Sequence, residues 1–413
     1  MAIHAVAHGT NFDKTLNLAD ITNPNNSEGV LIAAMFAAQG YIVVAPNYAG
    51  YDISTLGYHP YLNATQQSQE MVDILTAARA VLPNTLSSAT SDNGKLFLTG
   101  YSEGGHVAMA TERALEAQGK TVTASAPMSG PYALEAFGDA VFFGHVNIGS
   151  TLFTPLLVTS YQKEYGDVYT SLSDVYSSTY ATGIDTLLPS DQTLTELFTG
   201  GKLPQTALFD SDTPMNPTGN AQLDAVLNVA LAVPSDPNDP RTPLFAAGFG
   251  TSYLVNNSFR VAYAVDAATN PDGANTTPQT AGLPLAAAAP TQGLRKALYM
   301  NDMRYVYGSM MPAAPNLLCG GENDPTVFFM NTQIMAGYWS AAPTGLINVL
   351  DVDPSQIDPN NPFAAIQGAF KSLEPAPNAD QQTQLAWIQS YHSSVAPFCT
   401  LAALSFFSQP QFQ

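Results

Sequence analysis

Thr99-Gly100-Tyr101-Ser102-Glu103-Gly104-Gly105-His106 fits the pattern G-x-S-x-G, and its flanks decide how it is read. Before it, Lys95-Leu96-Phe97-Leu98-Thr99 is a short, largely apolar run of the kind a buried parallel strand needs. After it, Val107 to Gln118 reads as a helix closed by Gly119, a residue suited to the left-handed conformation just past a helix end. A strand that turns at once into a helix forces its turn residue into a strained conformation, and glycines on either side let neighbouring backbone pass. Ser102 is therefore predicted to stand at the top of a sheet as a nucleophile, in preference to an ordinary glycine-rich turn that happens to contain a serine. The amide of Glu103 falls at the helix N-terminus, where unpaired N–H groups and the dipole favour a developing oxyanion.

Upstream, residues 3 to 8 form an apolar run that leads into His8-Gly9-Thr10-Asn11. A serine hydrolase built on such an elbow takes a second oxyanion donor from the loop after an early strand. Thr10 and Asn11 are the candidates, against a plain strand exit with a turn glycine. Val30 to Gln39 reads as an apolar helix stopped by Gly40, and Tyr41 to Ala45 as a second buried strand. The loop Pro46-Asn47-Tyr48-Ala49-Gly50-Tyr51 continues through His59-Pro60-Tyr61 into a helix from about Thr65 to Leu82, with Met71, Val72, Leu75, Ala78 and Leu82 on one face. Val122 to Ala126 is a further apolar run after the elbow helix. Strands alternating with helices predict an α/β fold, with a mostly parallel sheet covered by helices on both faces.

From about 150 to 290 the alternation is lost in a Tyr-, Thr- and Pro-rich stretch whose helical candidates, such as Leu223 to Val233, are scattered. It is too long for a connecting loop. Strands resume at Pro315 to Gly321 and Ile347 to Val352, which favours a large, mainly helical cap inserted at 151–289 over an independent domain. The core is then 1–150 together with 290–413.

A nucleophilic serine needs a base, and the base needs a carboxylate to fix its tautomer, in the chain order Ser, acid, His. Of the six histidines only His145 and His392 follow the elbow helix. His392, in Ser390-Tyr391-His392-Ser393-Ser394, is expected on a polar loop beyond the last strand. His145 precedes every plausible acid and reads as a packed residue of the cap hinge; His106, on the elbow helix, reads as structural. Asp324 follows the strand ending at Cys319 and is preferred as the acid over Glu322, on the same loop, and Asp351, inside the next strand.

Lys+Arg 13 against Asp+Glu 33 gives a net charge of −20, which repels nucleic acid and anionic membranes. Charged residues make up only 11%, while Gly and Pro number 30 each, so the surface is rich in neutral polar groups and loops, a balance common in exported proteins. No apolar run reaches the roughly 18 residues of a membrane helix. The first residues have no basic start and read as a strand, not as a signal peptide.

Gly-Tyr-Ser-Glu-Gly-Gly-His at 100 to 106, the upstream Pro-Asn-Tyr-Ala-Gly-Tyr with His59-Pro60-Tyr61, and the paired Gly-Gly-Glu-Asn-Asp-Pro-Thr-Val and Tyr-His-Ser segments resemble secretory-lipase-type α/β-hydrolases. The resemblance spans about 1 to 132 and 292 to 400 and leaves the cap unmatched. It implies a secreted or periplasmic serine esterase or lipase acting on small or polymeric esters as a monomer, with Ser102, Asp324 and His392 as the triad and His8-Gly9-Thr10 at the oxyanion loop. No cofactor and no metal ion are expected. A peptidase of the same fold and a non-catalytic binding protein are the alternatives. The family commonly has Asp where this chain has Asn47. It also carries an export signal and two antiparallel strands ahead of the oxyanion strand, on which this sequence opens, so an exposed sheet edge is expected.

The two cysteines have no metal-binding spacing. Cys319 ends the strand that delivers Asp324 and Cys399 follows shortly after His392. If acid and base meet, a bridge with a Cα separation of about 4.4 to 6.8 Å becomes feasible. Two buried thiols are the other reading.

Overall fold

Six short, largely apolar runs pair into one sheet: β1 (Ile3–Ala7), β2 (Ile42–Val44), β3 (Leu96–Tyr101), β4 (Ala124–Met128), β5 (Asn316–Gly320) and β6 (Ile347–Asp351). The computed structural model describes residues 1–412 apart from 25, 86–90, 213 and 273–288. Every pair in the sheet is parallel and the order is β2-β1-β3-β4-β5-β6. β2 and β6 are its two edges.

Alternate residues of each strand face opposite helical layers, so both faces are apolar. Ile3, Ala5, Leu96 and Leu98 pack with Met71, Val72 and Leu75 of the helix Ala64–Thr85 and with Val107 of the elbow helix Glu103–Ala117. On the other face Val6 meets Ile32 and Phe36, next to the helix Ser27–Met35. There too, Phe97, Met128 and Cys319 meet Val395, Cys399 and Phe406 of the C-terminal helix Gln381–Phe407. His4 is buried on this face against Phe36, with Nε2 2.9 Å from the Thr99 hydroxyl. Burial lowers its pKa to about 3, so it stays neutral.

Chain connections leave β1 and β3 in opposite directions, since β2 lies beyond β1 and β4 beyond β3. In an open α/β sheet that switch point, at the carboxyl ends of the strands, is where ligands bind. His8-Gly9-Thr10 and Ser102 both stand there.

Between β4 and β5 the chain makes the expected long insertion. Its described part is mainly helical, with a two-residue parallel pair, Phe209–Asp210 with Phe249–Gly250. One apolar cluster joins Leu156, Tyr161, Val175, Phe209 and Tyr263 of the insertion to Leu134 and Phe142 before it and Leu294 and Leu298 after it. Arg295, wholly buried, ties these segments through Glu135 at 3.0 Å, Asp139 at 2.8 Å and Asp266 at 3.3 Å. The stretch 273–288, near the expected end of the cap, lies outside the described residues. The predicted helix Leu223 to Val233 is Ala221–Ala230.

Candidate active site

Ser102 links β3 to the elbow helix with φ 60° and ψ −123°, a backbone conformation rare for a residue with a side chain. Its N–H donates to the Met128 carbonyl at 3.0 Å and its own carbonyl accepts from the Gly105 N–H at 2.9 Å, which holds the turn. A side-chain carbon at Gly100 would run into the Gly104 carbonyl, and one at Gly104 into the Ala7 carbonyl. The glycines therefore let the elbow pack backbone to backbone against the end of β1. Glu103 is the first residue of a helix of 15 residues, so its amide lies at the positive end of the dipole.

Asp324 and His392 meet, with Oδ2 of the acid 2.6 Å from Nδ1 of the imidazole. Asp324 is buried, and its carboxylate is held by three more donors: the Ser129 hydroxyl at 3.1 Å, the Thr326 N–H at 2.9 Å and the Val327 N–H at 3.1 Å. Nε2 of His392 is buried without a hydrogen-bond partner among the described residues. The Tyr101 hydroxyl donates to the His392 carbonyl, and its ring lies against the imidazole with centroids 4.9 Å apart. Burial, with the Asp324 charge beside it, pushes the Tyr101 phenol well above its ordinary range, so it remains a donor. The rivals are engaged elsewhere: Glu322 is exposed, and Asp351 accepts from the Glu322 N–H at 2.9 Å.

The expected loop around His392 is not there. His392 stands in the middle of the C-terminal helix. The polar Ser393-Ser394 and Pro397 favour a loop locally, but Tyr391, Val395, Cys399, Ala402, Ala403 and Phe406 are buried at helical spacing and bind that face to the sheet. Cys319 and Cys399 form a disulfide with a Cα separation of 5.6 Å, so the bridged alternative holds and the two thiols are not free.

The loop after β1, where the oxyanion donors were expected, is clamped. The Gly9 N–H donates to Glu28 Oε1 at 2.8 Å, and the Thr10 hydroxyl pairs with the Tyr61 hydroxyl at 3.0 Å. Thr10 lines the cleft that Ser102 and His392 share. Asn11 turns its side-chain oxygen to the Asp13 N–H at 2.8 Å and its carbonyl to the Tyr51 hydroxyl at 2.6 Å. At Asn47 the amide does the work of fixing the loop: its oxygen accepts from the Leu18 N–H at 3.0 Å and its nitrogen donates to Asp52 at 3.3 Å.

Beneath this loop lies a pair that the sequence reading missed. The Glu103 carboxylate is 2.6 Å from His59 Nε2 and takes the Gln67 amide at 2.6 Å, all three side chains buried. Nδ1 of His59 faces the Ala49 carbonyl at 2.9 Å, so both ring nitrogens meet acceptors and an imidazolium is favoured. Burial opposes charge on both partners, but each outweighs it for the other: the His59 pKa is raised and that of Glu103 lowered. The distance in sequence between His59 and Glu103 hid the pair; an ionisable side chain directly after Ser102 was the only signal.

His106 is structural, as read: it is fully buried, with Nε2 2.8 Å from the Asn301 carbonyl, and burial lowers its pKa to about 4. His145 stacks on Phe245 at 4.8 Å but lies exposed at the surface. Among the described residues no group of three or more His, Cys, Asp or Glu is placed to hold a metal ion.

Two cavities meet at Ser102. One, of about 90 Å³, is apolar and bounded by Leu134, Phe137, Phe142, Phe153, Leu157 and Leu298. The other, of about 520 Å³, runs between the helix Ser27–Met35 and the C-terminal helix and carries His392 on its wall.

An all-parallel sheet of this order, a serine elbow after β3, an acid after β5 and a histidine after β6 define the α/β-hydrolase fold, and the chain has it. Among solved structures it superposes on the rice cell wall degrading esterase LipA from Xanthomonas oryzae in a ligand-bound form, with TM-score 0.65 and 22% identity over 98% of this chain and 80% of that one. A hydrolase candidate from Legionella pneumophila matches with TM-score 0.61 and 19% identity over 99% and 79% of the two chains. At such identities the likeness is one of fold. No protein-family model and no curated protein matches the sequence.

Proposed function

We propose that this chain hydrolyses carboxylic esters through an acyl-serine intermediate. Ser102 Oγ attacks the ester carbonyl while His392 Nε2 takes its proton; the imidazolium then gives that proton to the departing alcohol oxygen. Asp324 holds the tautomer and stabilises the imidazolium. The amides of Glu103 and of the Thr10-Asn11 loop receive the oxyanion. Water, activated by the same histidine, releases the acid. The segment 151–289 caps the site and shapes the acyl pocket, which suits lipid-like, aryl or polyester substrates.

The observation that carries this reading is the 2.6 Å contact between Asp324 and His392, with His392 on the cleft that Ser102, held in a strained elbow, also lines. The esterase fold neighbour from Xanthomonas oryzae supports it at the level of fold. The disulfide needs an oxidising compartment, which supports a secreted or periplasmic protein. No described helix is long and apolar enough to cross a membrane.

Turnover of p-nitrophenyl butyrate against an aminoacyl p-nitroanilide tests the class. Ester cleavage without anilide cleavage is expected; preference for the anilide makes the chain a peptidase, and no turnover of either makes it a binding protein. Asp324→Asn is expected to cut kcat by about 10⁴-fold with the fold retained, and Glu322→Gln to do far less. The reverse order would transfer the acid role to Glu322.

A further inference from the structure

The two cavities at Ser102 are not equivalent for ester chemistry. The departing alcohol oxygen must receive its proton from His392 Nε2, so the alcohol part leaves on the side where His392 stands. His392 lines the larger cleft and is absent from the walls of the smaller one. The acyl part then occupies the small apolar cavity.

The walls of the larger cleft are specific in kind. Phe12 and Phe153, with stacked rings 6.1 Å apart, stand at its side with Tyr101, and Leu31 and Pro397 face it from the two helices. Glu28 is the one acidic side chain among its lining residues, and no Lys or Arg is among them. Glu28 Oε1 accepts from the Gly9 N–H at 2.8 Å; burial raises the pKa of its carboxyl, and the neighbouring His8 works against that rise. Below the loop, the His8 ring nitrogens lie 2.7 Å from the Gly9 carbonyl and 3.1 Å from that of Asn47.

Aromatic faces together with one carboxylate, in a cleft otherwise lined by apolar and hydroxyl side chains, suit a quaternary or tertiary ammonium group. The net charge of −20 adds a long-range field of the same sense. Resting on the ester-hydrolase reading, we propose that the cleft between the helices Ser27–Met35 and Gln381–Phe407 is the alcohol subsite, and that Glu28 makes it select esters of cationic amino alcohols.

The test compares butyrylcholine with 3,3-dimethylbutyl butyrate, which has the same shape with carbon in place of the charged nitrogen. At low salt the wild-type protein is expected to show a kcat/KM ratio of about tenfold or more in favour of the cation. Glu28→Gln keeps an acceptor for the Gly9 N–H and removes the charge, so the ratio should fall towards one whatever the absolute rate. Ser393→Lys, an exposed position on the opposite wall, should lower the ratio in the same way and serves if the first variant does not fold. A wild-type ratio near one overturns the proposal, and so does a ratio that survives both substitutions. If p-nitrophenyl butyrate is cleaved but neither alkyl ester is, the subsite assignment fails and the hydrolase reading stands; if no ester is cleaved, both fail.

Discussion

The residues proposed to react are few, and Ser102 and Asp324 are held by backbone as much as by side chains. Ser102 keeps its positive φ because Gly100 and Gly104 let β1 and the elbow helix close on it. Asp324 is anchored by two backbone amides and a hydroxyl before it reaches His392. These positions were legible as a candidate site because a short pattern and its flanking strand and helix mark them. The His59–Glu103 pair was not, since nothing local to either residue announces a partner brought in by a long loop. Its titration has a definite sign. His59, with its pKa raised, contributes stability that is present below its unfolded value of about 6.5 and lost as pH rises through the folded one. Glu103, with its pKa lowered, contributes stability present above its unfolded value of about 4.3 and lost as pH falls through the folded one. The pair is therefore worth most between about pH 4.3 and 6.5. Glu103→Gln is expected to cost about 3 kcal/mol there, because it strands a buried imidazolium, and less at alkaline pH as His59 loses its proton. Thermal melts of the two proteins across pH measure the gap; a gap that stays constant as pH rises would mean that His59 is neutral in the fold.

The C-terminal helix shows how an element can defeat local reading. Ser390 to Ser394 is polar and Pro397 lacks an N–H for the helix ladder, so the segment reads as loop. Packing overrides this, since the buried face from Tyr391 to Phe407 seals one side of the sheet. His392, the proposed base, consequently stands on a helix packed against the sheet. Cys399 lies two turns beyond His392, and its bond to Cys319 joins the helix of His392 to the strand that leads to Asp324. A bridge closing a sequence separation of 80 contributes roughly 4 kcal/mol in the chain-entropy model. Replacing both cysteines by alanine should lower stability by about that amount in urea unfolding. It should also lower kcat more than it raises KM, because the loosened contact is that between Asp324 and His392. Unchanged kcat in a folded double variant would show that packing alone holds the two together.

At the scale of the whole chain, the parallel sheet and its two helical layers follow from apolar runs alternating with helical periodicity, and that part was readable strand by strand. The insertion was readable only as an interruption. Its core is assembled from residues far apart in sequence, such as Leu134, Tyr161, Phe209, Tyr263 and Leu298, and no local period records such contacts. Since Phe142, Phe153 and Leu157 bound the smaller cavity at Ser102, the insertion and its flanking helices should set acyl length. Leu157→Ala and Phe153→Ala are expected to shift the preferred acyl chain upwards, with acetate esters still cleaved. Loss of acetate cleavage in both, with the fold intact, would mean that this segment carries catalytic groups.

The central claim is that Ser102 forms the covalent intermediate. Treatment with a fluorophosphonate, followed by peptide mass spectrometry, tests it most directly. One equivalent of label on Ser102 is predicted, with loss of ester turnover in proportion to labelling and with neither effect after Asp324→Asn at matched short exposure. Labelling at any other residue, or full loss of turnover with Ser102 unmodified, would contradict it.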